Sequence, residues 1–144
     1  MPMTDEQIDR FLRDGAKLAV LSTVDAHGRP RSVPLWYEWR DGCAVMFTGR
    51  TSLKWRNLQR TPYASLCVDR REVPYAAVVI AGAIEELPDE AEPLYDFALR
   101  LATRYYGPDE ARRFAEPYRA GSPTTVRFRL RPQRVASWDY AVAD

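Results

Sequence analysis

Residues 17–48, KLAVLSTVDAHGRPRSVPLWYEWRDGCAVMFT, decide the fold of this chain. Three apolar and aromatic runs, at 17–24, 30–39 and 43–48, have the length and the β-branched and aromatic content of strands. The two gaps between them, DAHG and RDG, contain the Asp and Gly that tight turns favour. Because strands joined by tight turns are antiparallel, this stretch predicts an antiparallel meander of three strands.

The flanking segments add helices and further strands. A capping pair at Thr4 and Gln7 predicts an N-terminal helix that ends near Gly15. Helices are also expected at 52–60, 88–106 and 109–118. Strands are expected at 63–68, at 75–87 with a bend or bulge at Gly82, at 124–130 and at 134–138. About six strands with tight turns in a single domain over residues 1–144 predict a mainly β, α+β fold, a small closed or half-closed barrel with peripheral helices.

The composition is that of a globular protein. Apolar residues make up 46% of the chain and charged residues 28%, which excludes disordered and collagen-like proteins. No run of 18 apolar residues is present, and the N-terminus MPMTDEQIDR is polar where a secretory signal is basic and then apolar. We therefore expect a cytoplasmic protein with no membrane partner.

The charges are unevenly distributed along the chain. The formal net charge is +1, yet residues 26–68 contain seven cations and two acids, and residues 42–68 contain no acid. A local field of one sign in a nearly neutral protein favours a small anionic ligand over a nucleic acid. A solvated basic face would give the same pattern.

Few residues are placed for catalysis by a side chain. His27 is the only histidine and lies in a predicted turn, so neither a metal triad nor a nucleophile–histidine pair is expected. Cys43 and Cys67 lie in apolar strand segments and are expected to be small packing residues. No metal site is predicted, and the candidates for a proton donor are Tyr37, Tyr75 or an arginine.

One segment, TGRTSLK at 48–54, has the features of a phosphate site. It leaves a strand and enters a helix, and it carries the hydroxyls of Thr48 and Ser52 and the ammonium of Lys54. A helix N-terminus presents unpaired amides and the positive end of the helix dipole, which favour a phosphate. Arg31 on the preceding predicted strand reaches the same phosphate only if register or curvature brings it there.

These residues and their spacing resemble a known flavin-binding signature. Arg31-x-Val33-x-Leu35 followed by Phe47-Thr48-x-x-x-Ser52-x-Lys54 is similar to the signature of the pyridoxamine 5′-phosphate oxidase-like split β-barrel superfamily. The continuation at 54–64, KWRNLQRTPYA, resembles the deazaflavin (F420)-dependent reductase branch. The resemblance spans residues 18–87 and RVASW at 134–138.

The resemblance implies a six-stranded split β-barrel and a homodimer with two cofactor sites at the subunit interface. Lys54 and Arg31 would contact the cofactor phosphate, Thr48 and Ser52 would hydrogen-bond to it, the backbone of 33–36 would line the ring, and Trp138 would come from the partner subunit. The predicted cofactor-binding residues are Arg31, Val33, Pro34, Leu35, Trp36, Phe47, Thr48, Arg50, Thr51, Ser52, Lys54, Arg56, Arg60, Tyr75 and Trp138.

The resemblance favours an F420-dependent oxidoreductase that transfers a hydride between reduced deazaflavin and a small organic substrate. Oxidation of pyridoxamine phosphate is not expected, because Trp36 replaces a lysine of the oxidase pattern and the C-terminal arginine–histidine motif is missing. F420 has an oligoglutamate tail beyond its phosphate, and Arg50, Arg56 and Arg60 exceed what one phosphate needs. The alternatives are an FMN-dependent reductase or oxidase of the same fold, and a non-enzymatic protein that binds a flavin, heme or bilin.

The aromatic content also bears on assembly. Trp36, Trp39, Tyr75 and Trp138 exceed what one small core is expected to bury, and contiguous exposed apolar surface usually marks an interface. This favours a two-fold symmetric homodimer.

Overall fold

The computed structural model describes residues 2–141, which form seven strands, four α-helices and two 3₁₀ turns. The strands are β1 Ala19–Val24, β2 Pro30–Leu35, β3 Glu38–Arg40, β4 Cys43–Gly49, β5 Tyr63–Arg70, β6 Ala76–Glu86 and β7 Thr125–Asp139. The α-helices are α1 Asp5–Arg13, α2 Leu53–Arg60, α3 Leu94–Thr103 and α4 Pro108–Ala115, and the 3₁₀ turns are Asp89–Ala91 and Glu116–Tyr118.

All seven strands belong to one antiparallel sheet, in the order β2-β1-β5-β6-β7-β4-β3, which curls into a half-barrel. The predicted mainly β, α+β barrel with peripheral helices is confirmed, with seven strands instead of six. The predicted three-strand meander is wrong. The segment 30–39 forms two strands at opposite edges of the sheet, because β2 pairs with β1 and β3 with β4. Between them Trp36 leaves the sheet and stacks on Tyr105 with 4.7 Å between ring centroids.

The C-terminal strand also differs from the prediction. Residues 124–130 and 134–138 are predicted to be two strands, but they form the single strand β7. Residues 128–139 of β7 pair with the whole length of β6, from Ala76 opposite Asp139 to Glu86 opposite Phe128. The irregularity predicted at Gly82 is present, but the extra residue is on β7: Ala81 pairs with Arg134 and Gly82 with Pro132, so Gln133 has no partner on β6. Pro132 has no amide to donate. Because the bulge accommodates the extra residue, the pairing continues across the position where the sequence predicts a break between two strands.

The helices follow local capping chemistry. Thr4 and Gln7 form the predicted capping box of α1, and the hydroxyl of Ser52 accepts the Trp55 amide at the start of α2. The helix predicted at 88–106 is shorter in the structure. A 3₁₀ turn precedes it, and α3 begins only after Pro93, because proline has no amide proton to donate within a helix.

The two faces of the sheet are covered by different elements. The inner face carries buried residues such as Leu21, Leu66 and Ile80, which form the core. On the outer face, α3 and α4 cover only the β4 side, where Val45 and Phe47 pack against Phe97. We call α3, α4 and the two 3₁₀ turns the helical cover.

The remainder of the outer face has no covering element within residues 2–141. Its outward side chains lie in register across four strands, with Val20 opposite Cys67, Cys67 opposite Val79, and Val79 opposite Ala136. Trp138 continues this surface beside Ala77. We call this surface, with outward residues Val20, Cys67, Val79, Ala136 and Trp138, the open face. Among the described residues, no helix is both long and apolar enough to cross a membrane.

Gly82→Ala is expected to lower the free energy of unfolding by about 3 kcal/mol, at the upper end of overpacking costs. A Cβ at residue 82 would lie 1.9 Å from the carbonyl oxygen of Arg131, so the β6–β7 pairing would have to move. Urea denaturation measures the change. Gly49→Ala is the matched control, because a Cβ at residue 49 meets nothing within 4 Å. Equal stability of the two variants would contradict a close approach at the bulge.

Candidate functional site

A cavity of about 270 Å³ lies between the β1–β2 hairpin and the start of α2. In the sheet β6 and β7 separate β4 from β5, so the chain must cross the end of the barrel between these strands, and α2 makes this crossing against β1. The crossing brings Lys54 of α2 beside Arg31 of β2. The lining residues are Thr23, Arg31, Ser32, Val33, Leu53, Lys54 and Asn57.

The predicted phosphate segment forms a connected set of donors beside this cavity. The ammonium of Lys54 donates to Thr48 Oγ1 at 2.9 Å, and Thr48 Oγ1 lies 3.2 Å from Ser52 Oγ. The Ser52 hydroxyl also accepts the Trp55 amide at 3.2 Å. The earlier amides of α2 have no acceptor within the helix, so the hydroxyls, the ammonium and the helix N-terminus together suit an anion.

Arg31 is the second cation of the cavity, and a carboxylate holds it. Asp25 Oδ2 accepts a hydrogen bond from Arg31 Nε at 3.2 Å, while Asp25 Oδ1 accepts the amides of His27 and Arg29, each at 2.9 Å. The Arg29 amide, with further help from the His27 amide and Arg31, lowers the pKa of the Asp25 carboxyl below its usual value, although burial opposes the shift. Asp25 is therefore an anion at neutral pH.

The floor of the cavity is a polar pair that the sequence analysis missed. Asn57 is buried in α2, and its amide donates to the hydroxyl of Thr23 in β1 at 3.1 Å. This buried bond ties α2 to the sheet. Asn57 follows Lys54 by three residues and so shares its helix face, which is the one sequence signal that marks it. Leu53, 50% exposed at the rim, was also missed.

Several predicted cofactor residues are placed elsewhere by their side chains. Trp36 and Phe47 pack into the helical cover, where Phe47 lies edge-on to Phe97 with 5.6 Å between centroids. Leu35 packs against the core, whereas Pro34 is exposed. Of the predicted run 33–36, Val33 alone lines the cavity.

The predicted arginines near the motif differ in their partners. Arg50 is ion-paired with Glu86 at 2.7 Å, and Thr51 beside it is exposed. Arg56 and Arg60 are exposed on α2, and Arg60 lies 3.5 Å from the side-chain oxygen of Asn57. Arg56 and Arg60 therefore add two exposed cations to the helix that carries Lys54, and Arg60 is the one that reaches a cavity residue, Asn57.

Tyr75 and Trp138 lie at the other end of the sheet. Across the sheet, Trp138 is opposite Ala77, and Ala77 is opposite Asp69, a position beyond the first residue of β1. Arg31 is opposite Thr23, near the last residue of β1. The two aromatic residues, 55% and 42% exposed, line a separate open cavity of about 530 Å³. That cavity is also lined by Asp69, Arg70, Arg71, Ala76, Ala77 and Tyr140. Within one chain, these two residues do not meet Lys54.

Tyr37, a predicted candidate for a proton donor, is not available to a ligand. Tyr37 is fully buried, donates its hydroxyl to the carbonyl of Leu12 at 2.6 Å, and has its pKa raised by burial to about 12. It is therefore not a proton donor to a ligand in the cavity. Within residues 2–141, no group of three or more His, Cys, Asp or Glu side chains is arranged to hold a metal ion.

Comparison with known proteins identifies this architecture. The family model described as pyridoxamine 5′-phosphate oxidase matches residues 4–139. The conserved hypothetical protein Rv2991 from Mycobacterium tuberculosis is 25% identical, with a TM-score of 0.79, over 99% of this chain and 90% of that chain. No curated protein matches in sequence.

Two further solved structures share the fold. A protein described as an F420 reductase is 22% identical, with a TM-score of 0.67, over 88% of this chain and 94% of that chain. HutZ, described as a heme storage protein of Vibrio cholerae, is 16% identical, with a TM-score of 0.68, over 94% of this chain and 93% of that chain. At these identities the comparisons show a common fold.

Cys67 is expected to react slowly with iodoacetamide at neutral pH. Burial, and then the neighbouring carboxylate of Asp69, raise the pKa of the Cys67 thiol, so less of the reactive thiolate is present. The alkylation rate of a Cys43→Ser variant, measured by mass spectrometry from pH 7 to 10, should stay below that of N-acetylcysteine and rise later with pH. Faster labelling than the free thiol at pH 7 would contradict the expectation.

Proposed function

The chain belongs to the pyridoxamine 5′-phosphate oxidase family, and on this premise we propose that it is an oxidoreductase that binds the deazaflavin F420 and transfers a hydride to or from a small organic substrate. The observation that carries the proposal is that Arg31 and Lys54 line one cavity at the start of α2, where Lys54 is hydrogen-bonded to Thr48 and Thr48 contacts Ser52. One of the solved structures of the same fold is described as an F420 reductase.

The residues of the cavity fit the phosphate of such a cofactor. Two cations, two hydroxyls and the N-terminal amides of α2 are charge-assisted or dipolar donors, which is the donor set that phosphate favours. Lys54 and Arg31 approach from different elements, a helix and an edge strand, so a phosphate between them would be held from two sides. Asn57 donates to Thr23 below it, so these two buried polar side chains satisfy each other.

The preference for F420 over FMN is supported by the surface next to the cavity. A phosphate alone would use Lys54 and Arg31, whereas the oligoglutamate tail of F420 needs further cations. Arg56 and Arg60 are exposed on the same helix as Lys54 and suit the tail, while Arg50 is already paired with Glu86. An FMN-dependent enzyme of the same fold, or a protein that stores a flavin, heme or bilin, are the competing outcomes of the binding experiment below.

The division of labour follows from this site. When bound, the cofactor supplies the hydride chemistry, and the protein supplies orientation, anion binding and exclusion of water. Lys54, Arg31, Thr48 and Ser52 would anchor the phosphate, and Val33 and Leu53 would provide apolar contact at the rim. No side chain of the cavity is required to form a bond to the substrate.

The same proposal includes a homodimer with the cofactor site at the subunit interface. β2 supports this arrangement, because its residues Arg31, Ser32 and Val33 line the cavity while Pro34, further along the same strand, lies opposite Val20 of the open face. A second copy on the open face would therefore border the cavity. Of the aromatic residues expected there, Tyr75 and Trp138 are exposed, whereas Trp36 and Trp39 contact their own chain.

Lys54→Ala is expected to weaken F420 binding about ten- to a hundredfold, because a charge-assisted contact is worth about 1.5–3 kcal/mol. Fluorescence titration with F420 and with FMN measures the effect. Lys54→Arg should retain most of the affinity, and Arg112→Ala, an exposed residue of α4, controls for net charge. Equal F420 affinity of wild type and Lys54→Ala would remove Lys54 from the site.

The cofactor preference has its own variant. Neutralising Arg56 and Arg60 together, as Gln, should weaken F420 binding modestly and leave FMN binding unchanged, because only F420 carries the tail. The F420 affinity of the wild type should also fall with salt. Tighter binding of FMN than of F420 by the wild type would identify FMN as the cofactor. A Soret band in the absorption spectrum of the purified protein would favour heme.

Wild-type protein is expected to sediment as a dimer at micromolar concentration. Val79→Arg, at the centre of the open face, should shift the equilibrium to monomer, because an unpaired charge would be buried in the interface. Thr103→Arg on the exposed side of α3 is the matched control. A stable wild-type monomer would contradict the interface, and an unchanged dimer in Val79→Arg would place it elsewhere.

A further inference from the structure

The carboxylate of Asp25 connects the β1–β2 turn to the cavity. Asp25 is 8% exposed, and each of its oxygens has a separate task. Oδ1 accepts the amides of His27 and Arg29 and so fixes the turn, while Oδ2 accepts Arg31 Nε at 3.2 Å. One carboxylate therefore determines both the shape of the hairpin and the position of a cavity cation.

Arg31 depends on this contact for its orientation. Its side chain is 58% exposed, and a long exposed arginine otherwise samples many rotamers. The contact with Asp25 occupies Nε, and among the described residues neither terminal nitrogen of the guanidinium donates to a protein acceptor. The two terminal nitrogens thus remain available for an anion in the cavity that Arg31 shares with Lys54.

We propose that Asp25 is a positioning residue for cofactor binding: it holds the Arg31 guanidinium at the cavity, ready for the cofactor phosphate. The inference rests on the proposed function, since the phosphate is that of F420 or, in the alternative, of FMN. Asp25 touches neither cofactor nor substrate in this assignment. It acts through Arg31 alone.

The charge of Asp25 has two opposed influences on the affinity for a phosphate. The negative charge of Asp25 repels a phosphate, but this repulsion acts from behind Arg31 through a solvent-exposed region and is screened by salt. The ordering of Arg31 acts at hydrogen-bond distance, 3.2 Å from Asp25 Oδ2, and it reduces the rotamer freedom that Arg31 would otherwise lose on binding the phosphate. Positioning therefore outweighs repulsion, and removal of the carboxylate charge weakens binding.

Asp25→Asn is the variant that isolates this role. The asparagine oxygen can still accept the His27 and Arg29 amides and keep the turn, whereas its NH₂ group cannot accept from Arg31 Nε. The dissociation constant for F420 is expected to rise about three- to tenfold. The dissociation constant for the deazariboflavin that ends before the phosphate should not change. FMN and riboflavin provide a second pair that differs only in the phosphate.

Two comparisons separate positioning from a general effect on folding. In an Arg31→Ala background, Asp25→Asn should have no further effect on F420 binding, because the group it positions is gone. Asp41→Asn makes the same chemical change in the turn between β3 and β4, away from the cavity, and should leave both ligands unaffected. Circular dichroism melting of each variant reports whether the hairpin remains folded.

These measurements distinguish failure of the Asp25 role from failure of cofactor binding itself. Wild-type binding of F420 or FMN with unchanged or tighter binding by Asp25→Asn overturns the positioning role alone. Equal weakening of the phosphate-containing and phosphate-free ligands also overturns it, since the effect would then not pass through the phosphate. Absence of binding of all four ligands by the wild type overturns the proposed function and this inference with it.

Discussion

The antiparallel pairing of β6 with β7 is the interaction on which the rest of the structure depends. β7 pairs with β6 over residues 128–139 and with β4 over residues 125–130, so this one strand joins the β2-β1-β5-β6 part of the sheet to β4 and β3. The register shift between these strands requires glycine at residue 82, because the Arg131 carbonyl occupies the space that a side chain there would need. This order separates β4 from β5 and forces α2 across the end of the barrel, which is where the cavity forms.

Two polar contacts then hold the cavity in shape. The Asn57–Thr23 hydrogen bond fixes the helix against β1 from below, and the Asp25–Arg31 ion pair fixes the edge of the hairpin. Both use polar groups that are satisfied by specific partners, so each has one favourable arrangement. Lys54 is held in turn by Thr48, which belongs to β4. The helix and the hairpin thus each contribute a constrained cation to the cavity, and Thr48 of β4 holds the cation of the helix.

The helical cover is attached by both apolar and ionic contacts. Phe97 and Leu101 bury Val45 and Phe47, while Arg100 binds Glu38 of β3 and Glu92 next to the first 3₁₀ turn. Buried Arg127 of β7 donates to the carbonyls of Pro88 and Glu92. Partly exposed ion pairs contribute little singly, so the aromatic contacts carry most of the attachment. This use explains why Trp36 and Phe47, although adjacent to the motif, point away from the cavity.

The sequence by itself determined what depends on neighbours along the chain. The capping box of α1, the Ser52 cap of α2, the turns at 25–28 and 40–42 and the bulge at Gly82 are local chemistry, and all could be predicted from a few consecutive residues. The strand order could not, because alternation of apolar residues gives the faces of a strand and not its neighbours. The tertiary structure alone decided that β2 and β3 lie at opposite edges and that Arg31 and Lys54, 23 positions apart in sequence, share one cavity. It also decided that Asn57 is the buried partner of Thr23 and that Trp138 lies far from Lys54 within one chain, since long-range proximity is set by how the sheet closes around its core.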